Sequence, residues 1–172
     1  RIIKDGRIGF CSSYDPYRID DIIEKAVENS KYGKEAKFSF PSGSEIKDVE
    51  TFDSAIESFG PEKAIKEGYK AIKMLSDKCP KGLSDISVTS SVSLFRLINS
   101  GGLDVSYRTT EFDQSIVSVV VEGDSILWIA DGGSSGSLNI KTDEYVDKIS
   151  RLATMAEKKS PKMQGKLPVI FV

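Results

Sequence analysis

Residues 86–129 read ISVTSSVSLFRLINSGGLDVSYRTTEFDQSIVSVVVEGDSILWI, and the way this stretch folds decides the class of the whole chain. Ile86, Val88, Val92 and Leu94 alternate with Ser87, Thr89, Ser91 and Ser93, the two-residue period of a strand with one buried face. The period slips near Phe95 and Leu97, where a bulge is expected. Asn99-Ser100-Gly101-Gly102 then offers residues that tolerate positive φ, which reads as a β-turn. A phosphate cradle needs a helix N-terminus directly after its glycines. Here a strand follows, so Asn99, Gly101 and Gly102 are assigned as a structural corner. Leu103, Val105, Tyr107 and Thr109 form the return strand, Phe112 to Val121 a third, and Gly123-Asp124 turns into a fourth from Ile126 to Ile129. The expectation is a meander of four antiparallel strands.

Upstream, Asp5-Gly6 sits between Ile2-Ile3 and Ile8/Phe10 and forms a two-residue hairpin turn. A helix follows, with Asp15 as N-cap, Pro16 at the first helical position, and Ile19, Ile22, Ile23, Ala26 and Val27 on one face. Gly33 is its expected stop. Residues 34–59 hold no period and read as an extended loop, pinned by Phe38, Phe40, Ile46, Val49 and Phe52. A second helix runs from Pro61 to about Lys78, with Ala64, Ile65, Gly68, Ile72 and Leu75 inward and Pro80 and Gly82 ending it. Downstream of the meander, Asp131–Ser137 reads as a flexible link to a third helix. That helix is capped by Thr142, has Asp143 and Glu144 in its first turn, directs Val146, Ile149, Leu152, Ala153 and Ala156 inward, and is closed by Pro161. The fold class is α+β: an antiparallel or mixed β-sheet, made of a hairpin plus a four-stranded meander, packed with about three α-helices.

The chain has 172 residues, 24 basic and 26 acidic, for a net charge of -2. That balance offers no long-range attraction for nucleic acid or anionic lipid, so no direct nucleic-acid partner and no membrane partner are expected. The lysines interleave with acids as solvated helix faces. Cys11 and Cys79 are far apart, which suits a reducing compartment, and with no signal-like or membrane-length apolar run the expected location is cytoplasmic. The chain contains no histidine. This removes the usual general base, the usual zinc ligand and every Ser-His or Cys-His nucleophile pair. Arg1-Ile2-Ile3 begins inside a strand pattern and Lys166–Val172 reads KLPVIFV; both ends are expected to belong to a longer protein.

In their order and spacing, IIKDGRIGFCSS, FGPEKAIKEGYKAI and LINSGGLDVSYRTTEFDQSIVSVVVEGD resemble the N-terminal domain of the TldD/PmbA family, first labelled modulator of DNA gyrase and regarded as metalloproteases. The resemblance covers essentially the whole chain, and D-G-R-x-G-F and N-S-x-G-L-x-V-S-Y-R are its most specific parts. It implies a domain over residues 1–160, with 161–172 as linker and first strand of a C-terminal domain. In TldD-type members that later domain carries a His-Glu-x-x-x-His zinc helix; PmbA (TldE) chains lack those ligands and pair with a TldD subunit. No cofactor is expected in this chain, and a PmbA-like parent is favoured. The implied role is a non-catalytic domain that shapes a peptide-substrate cavity and a subunit interface, in a homo- or heterodimer acting on peptide or unfolded protein. The alternative is a non-proteolytic regulator that binds gyrase or another protein.

Tyr107, Arg108 and Glu111 form the main polar cluster among the strands. Tyr107 and Glu111 share a face with Thr109 and Arg108 projects to the other, either as cross-strand pairs on a solvated sheet or as the border of a peptide channel. Asp131, Gly132 and Gly133 are glycine-rich without a phosphate-loop lysine, and are either linker or cleft lining. Asp20-Asp21 and Asp143-Glu144 complement helix dipoles, and Cys11 reads as a small core residue. With carboxylates and two distant cysteines as its only ligand types, the chain suits hard oxygen-liganded ions better than zinc. Elemental analysis after dialysis against a weak chelator is expected to find no stoichiometric zinc, and the isolated chain is expected to lack peptidase activity.

Overall fold

The computed structural model describes residues 1–43, 47–158, 165, 166 and 168. The chain divides into two compact units, Arg1–Ile46 with Leu97–Val105, and Lys47–Arg96 with Ser106–Val172.

In the smaller unit, β1 (Ile2–Lys4) and β2 (Arg7–Gly9) form an antiparallel hairpin. Asp5 (φ 51°) and Gly6 (φ 73°) both take positive φ, the turn that matches the twist of paired strands. Helix α1 (Ile19–Ser30) packs on this hairpin. Its start lies later than expected: Arg18, not Asp15, precedes the first turn. The Asp15 carboxylate instead accepts the Tyr17 N–H at 3.0 Å, so a local Asx turn captured the residue before the helix began. Gly33 lies beyond the helix end, where a Cβ would stand 1.8 Å from the Ile8 carbonyl oxygen. Close backbone approach, not helix termination by positive φ, requires that glycine. Glu35 forms a bridge to Arg7 within the stretch expected to be loop.

The Asn99–Gly102 corner also belongs to this unit. The Asn99 side-chain oxygen accepts Gly101 N–H at 2.8 Å and Leu103 N–H at 3.2 Å, while its amide nitrogen donates to the Pro41 carbonyl at 2.8 Å. Gly102 sits at φ 91°. The corner is braced by its own asparagine and holds the expected conformation.

In the larger unit, β3 (Gly82–Ile98), β4 (Asp104–Glu122) and β5 (Ser125–Ser135) form a sheet of order β3-β4-β5. Three strands therefore replace the four expected. The expected break at 110–111 does not occur, because Thr110 and Phe112 keep their alternation and both are buried, so 19 residues run as one strand. Strand β5 continues through the supposed flexible link: Phe112 pairs with Ser135 and Ile116 with Asp131. On β3 the Ser90 hydroxyl donates to the Phe59 carbonyl and the Phe95 ring stacks on Tyr107.

Among the described residues there are four helices rather than three. The addition is α2 (Ser54–Glu57), capped by Asp53, whose side chain accepts the Ala55 N–H. Helix α3 (Pro61–Lys78) has Pro61 at its first position, and α4 (Thr142–Ala156) follows β5. Ala71, Leu75, Ile116, Ile129, Val146 and Ile149 make one buried cluster; Ile56, Phe59 and Phe112 make a second, with Phe59 and Phe112 edge to face at 5.1 Å. The inward face of α3 is rotated from the expectation: Ile65 and Ile72 are 58% and 44% exposed, and Ala71 takes their place. Ala71 is buried in the cluster it shares with Leu75, Ile116, Val146 and Ile149. On α4, Val146 and Ile149 are buried as expected, whereas Leu152 and Ala156 are exposed. Ile46, Pro161 and most of the KLPVIFV strand lie outside the described residues.

Gly102→Val places a β-branched residue at positive φ and is expected to cost about 1–2 kcal/mol, read as a lowered urea midpoint with an unchanged slope.

Candidate functional site

The alternation of β4 sorts the candidate residues between two faces of the sheet. Thr110, Phe112, Gln114, Ile116 and Ser118 are all buried toward the helices. Tyr107, Thr109, Glu111, Asp113, Ser115, Val117, Val119 and Val121 occupy the other register and look outward.

The inward candidates are absorbed by structure. The Arg108 guanidinium lies 4.2 Å from the Phe52 ring centre and 2.5 Å from a Glu57 carboxylate oxygen, while the Thr51 hydroxyl donates to the Arg108 carbonyl at 2.7 Å. Arg108 thereby clamps residues 51–57 against β4. Asp131 is held by the Lys148 ammonium of α4 at 3.1 Å. A Cβ on Gly133 would meet the Tyr145 hydroxyl at 3.0 Å, and one on Gly132 the Gln114 carbonyl oxygen at 2.5 Å. These glycines permit close packing, and neither sits in a phosphate-binding turn.

On the outward face, Tyr107 stacks on Phe95 with ring centres 5.4 Å apart. Glu111 accepts the Ser134 hydroxyl at 2.7 Å. Further along the ladder, Val117 pairs with Ala130, Val119 with Trp128 and Val121 with Ile126. Of the six candidates, Tyr107 and Glu111 share one face and Arg108 and Asp131 lie on the opposite one. The structure therefore does not gather them into a single site.

Sequence reasoning missed Asp53, Gln114 and Trp128. Asp53 accepts Ala55 N–H and Leu138 N–H, each at 2.8 Å, and its own N–H donates to the Thr110 hydroxyl at 2.9 Å. The Leu138 N–H first, and then that of Ala55, hold its carboxyl below the ordinary value. An aspartate before Ser-Ala-Ile-Glu carries an N-cap signal that was legible in sequence; its partnership with Leu138 was not. Beside it lies a polar hollow of about 480 Å³ bounded by residues 50–54, Gly136 and Ser137. A second cavity of about 350 Å³, lined in part by Cys79, Val120, Leu127 and Ala153, opens between the end of α3, the β4–β5 turn and α4. Among the described residues, no group of three or more His, Cys, Asp or Glu side chains is placed to hold a metal ion, and no helix is long and apolar enough to cross a membrane.

An α+β unit whose sheet, among the described residues, has one face packed on helices and the other exposed is a scaffold that presents a surface. Residues 45–158 match the family described as the PmbA/TldA metallopeptidase central domain, and the chain belongs to that family. Among solved structures, TldE from Thermococcus kodakarensis is similar, with a TM-score of 0.68 and 20% identity over 87% of this chain and 35% of that one. A Thermotoga maritima protein described as a modulator of a DNA gyrase gives 0.69, at 17% identity over 88% and 35%. An uncharacterised protein of Methanocaldococcus jannaschii is 28% identical over 133 residues, 73% of this chain and 29% of the relative. The chain thus spans about a third of the length of the relatives it matches.

Because the Asp53 pKa is depressed on folding, its stabilising contribution is complete above the unfolded value, about pH 4, and is lost as pH falls through the folded value. Asp53→Asn is therefore expected to melt below the parent at pH 7 and to show a shallower loss of Tm between pH 5 and 2, measured by circular dichroism at both ends of about that range.

Proposed function

We propose that this chain is a non-catalytic part of a TldD/PmbA-type metallopeptidase of the PmbA (TldE) kind. It shapes one wall of a peptide-substrate cavity and forms a homo- or heterodimer with a TldD/PmbA-type subunit, in the cytoplasm. The observation that carries this reading is the family match over residues 45–158. The absence of histidine from the sequence supports the non-catalytic assignment, since the zinc ligands then have to come from elsewhere. A net charge of -2 supports a polypeptide rather than a nucleic-acid partner. The outward sheet face supports the cavity-wall role, because among the described residues it is left uncovered next to the strand edges.

Co-purification with a TldD-type subunit tests the proposal. A stoichiometric complex is expected, with hydrolysis of unstructured protein that depends on the zinc-bearing partner. Failure to form that complex, combined with stoichiometric inhibition of DNA supercoiling by gyrase in the presence of this chain alone, would establish the regulatory alternative instead.

A further inference from the structure

The outward face of the larger unit's sheet has a chemical pattern that goes beyond a generic cavity wall. At one end, the ladder pairs Val117–Ala130, Val119–Trp128 and Val121–Ile126 set six apolar side chains side by side. Trp128 is 70% exposed, Ile126 63% and Val121 54%. Soluble proteins rarely leave such a patch without a partner, and an exposed tryptophan at its centre is the residue type that dominates binding energy at interfaces. Toward the other end of β4, the same face carries Glu111 and Asp113, with Ser115 between them and the valines. No Lys or Arg occupies an outward position of β4 or β5 among the described residues of this unit. Of the neighbouring cations, Arg108 is paired with Glu57 and Lys148 with Asp131, and Lys81 lies by Glu122 past the apolar end. On β4 and β5 the face is thus apolar at one end and anionic at the other.

Charge decides among the occupants. Nucleic acid is repelled by such a surface. A second copy laid on the same face brings carboxylates toward carboxylates unless its anionic ends are kept apart. A segment of opposite charge gains at both ends.

We infer that this face binds polypeptide segments that carry Lys or Arg beside aliphatic or aromatic residues. The apolar side chains seat on the Val119–Trp128 ladder, and the cations lie along Glu111 and Asp113. From Asp113 to Val119 is six residues of strand, about 20 Å at the rise of a β-strand, so an extended segment of similar length reaches both regions. This inference rests on the peptide-facing role proposed above and deepens it by naming the class of peptide.

Trp128 is the single tryptophan of the chain, so intrinsic fluorescence reports on the site directly. Three unstructured peptides with common Leu and Phe positions, bearing Lys, Gln or Glu at the intervening ones, are titrated into the intact chain. The Lys peptide is expected to shift Trp128 emission to the blue, saturably, and to weaken as salt is raised. The Gln peptide is expected to bind about fivefold more weakly, the scale of two exposed ion pairs, and the Glu peptide more weakly still. The Glu111→Gln/Asp113→Asn double variant, with its fold checked by an unchanged thermal melt, is expected to bind the Lys peptide like the Gln peptide. Equal binding of all three peptides overturns the charge selection while the peptide-facing role stands. A blue shift that follows protein concentration without any peptide overturns the inference in favour of contact between copies. No shift under any condition removes this face from peptide binding altogether, while complex formation with a TldD-type subunit continues to test the broader role.

Discussion

The one-sided burial of β4 is the constraint on which the larger unit depends. Phe112 meets Ile56 and Phe59, and two rungs later Ile116 meets Ala71, Leu75, Val146 and Ile149. One strand thereby positions α2, α3 and α4. Each large apolar side chain buried in this way contributes about 1.5–3 kcal/mol. The exposed ion pairs around the same helices, Lys70–Asp143 at 2.5 Å among them, are worth about 0–1 kcal/mol each. The hydrogen bond between those two side chains raises the Lys70 pKa and lowers that of Asp143, but burial on β4 decides where the helices lie and ion pairs only trim the result.

Polar side chains in the same buried row make the register specific. Gln114 donates to the Thr142 hydroxyl at 2.7 Å and accepts the Lys141 N–H at 3.1 Å, while Thr142 donates to Glu67 at 2.8 Å. A two-residue slip of β4 would leave Gln114 without these partners and put Phe112 or Ile116 in their place, stranding buried polar groups. Holding that register also holds the outward residues: Glu111, Asp113, Val119 and the Trp128 pair keep one arrangement because Gln114 and Ile116 cannot move. The surface proposed to meet a polypeptide is in this sense the reverse side of the core.

The hydrogen bonds of Asp53 connect the two halves of that picture. Its carboxylate caps α2 and receives the backbone after β5, while its N–H reaches Thr110 on β4. Thr110 also donates to the Gly136 carbonyl at 3.0 Å, so the segments on both sides of the sheet's polar end converge on two small side chains. Arg108 acts beside them through Phe52 and Glu57. Arg108, a candidate channel-lining residue, also clamps this segment, and its partners come from a stretch whose lack of periodicity hid the short helix it contains.

Local chemistry determined what the sequence could show by itself: the Asp-Gly hairpin, the Asn99–Gly102 corner, the existence of α1, α3 and α4, the alternation of β4, and the order of motifs that marks the family. Each depends on residues within a few positions of one another, where turn preference and periodicity act directly. Tertiary structure decided the rest. Whether Asp131–Ser135 is linker or strand depended on pairing with Phe112–Ile116, and a run of Gly and Ser has no period from which to read it. The rotation of α3 that buries Ala71 in place of Ile65 and Ile72 depended on which helix face met Ile116, Val146 and Ile149. The separation of Arg108 and Asp131 from Tyr107 and Glu111 followed from which face of β4 met the helices. These are contests between distant surfaces for burial, and their outcome depends on packing area that no local stretch of sequence carries.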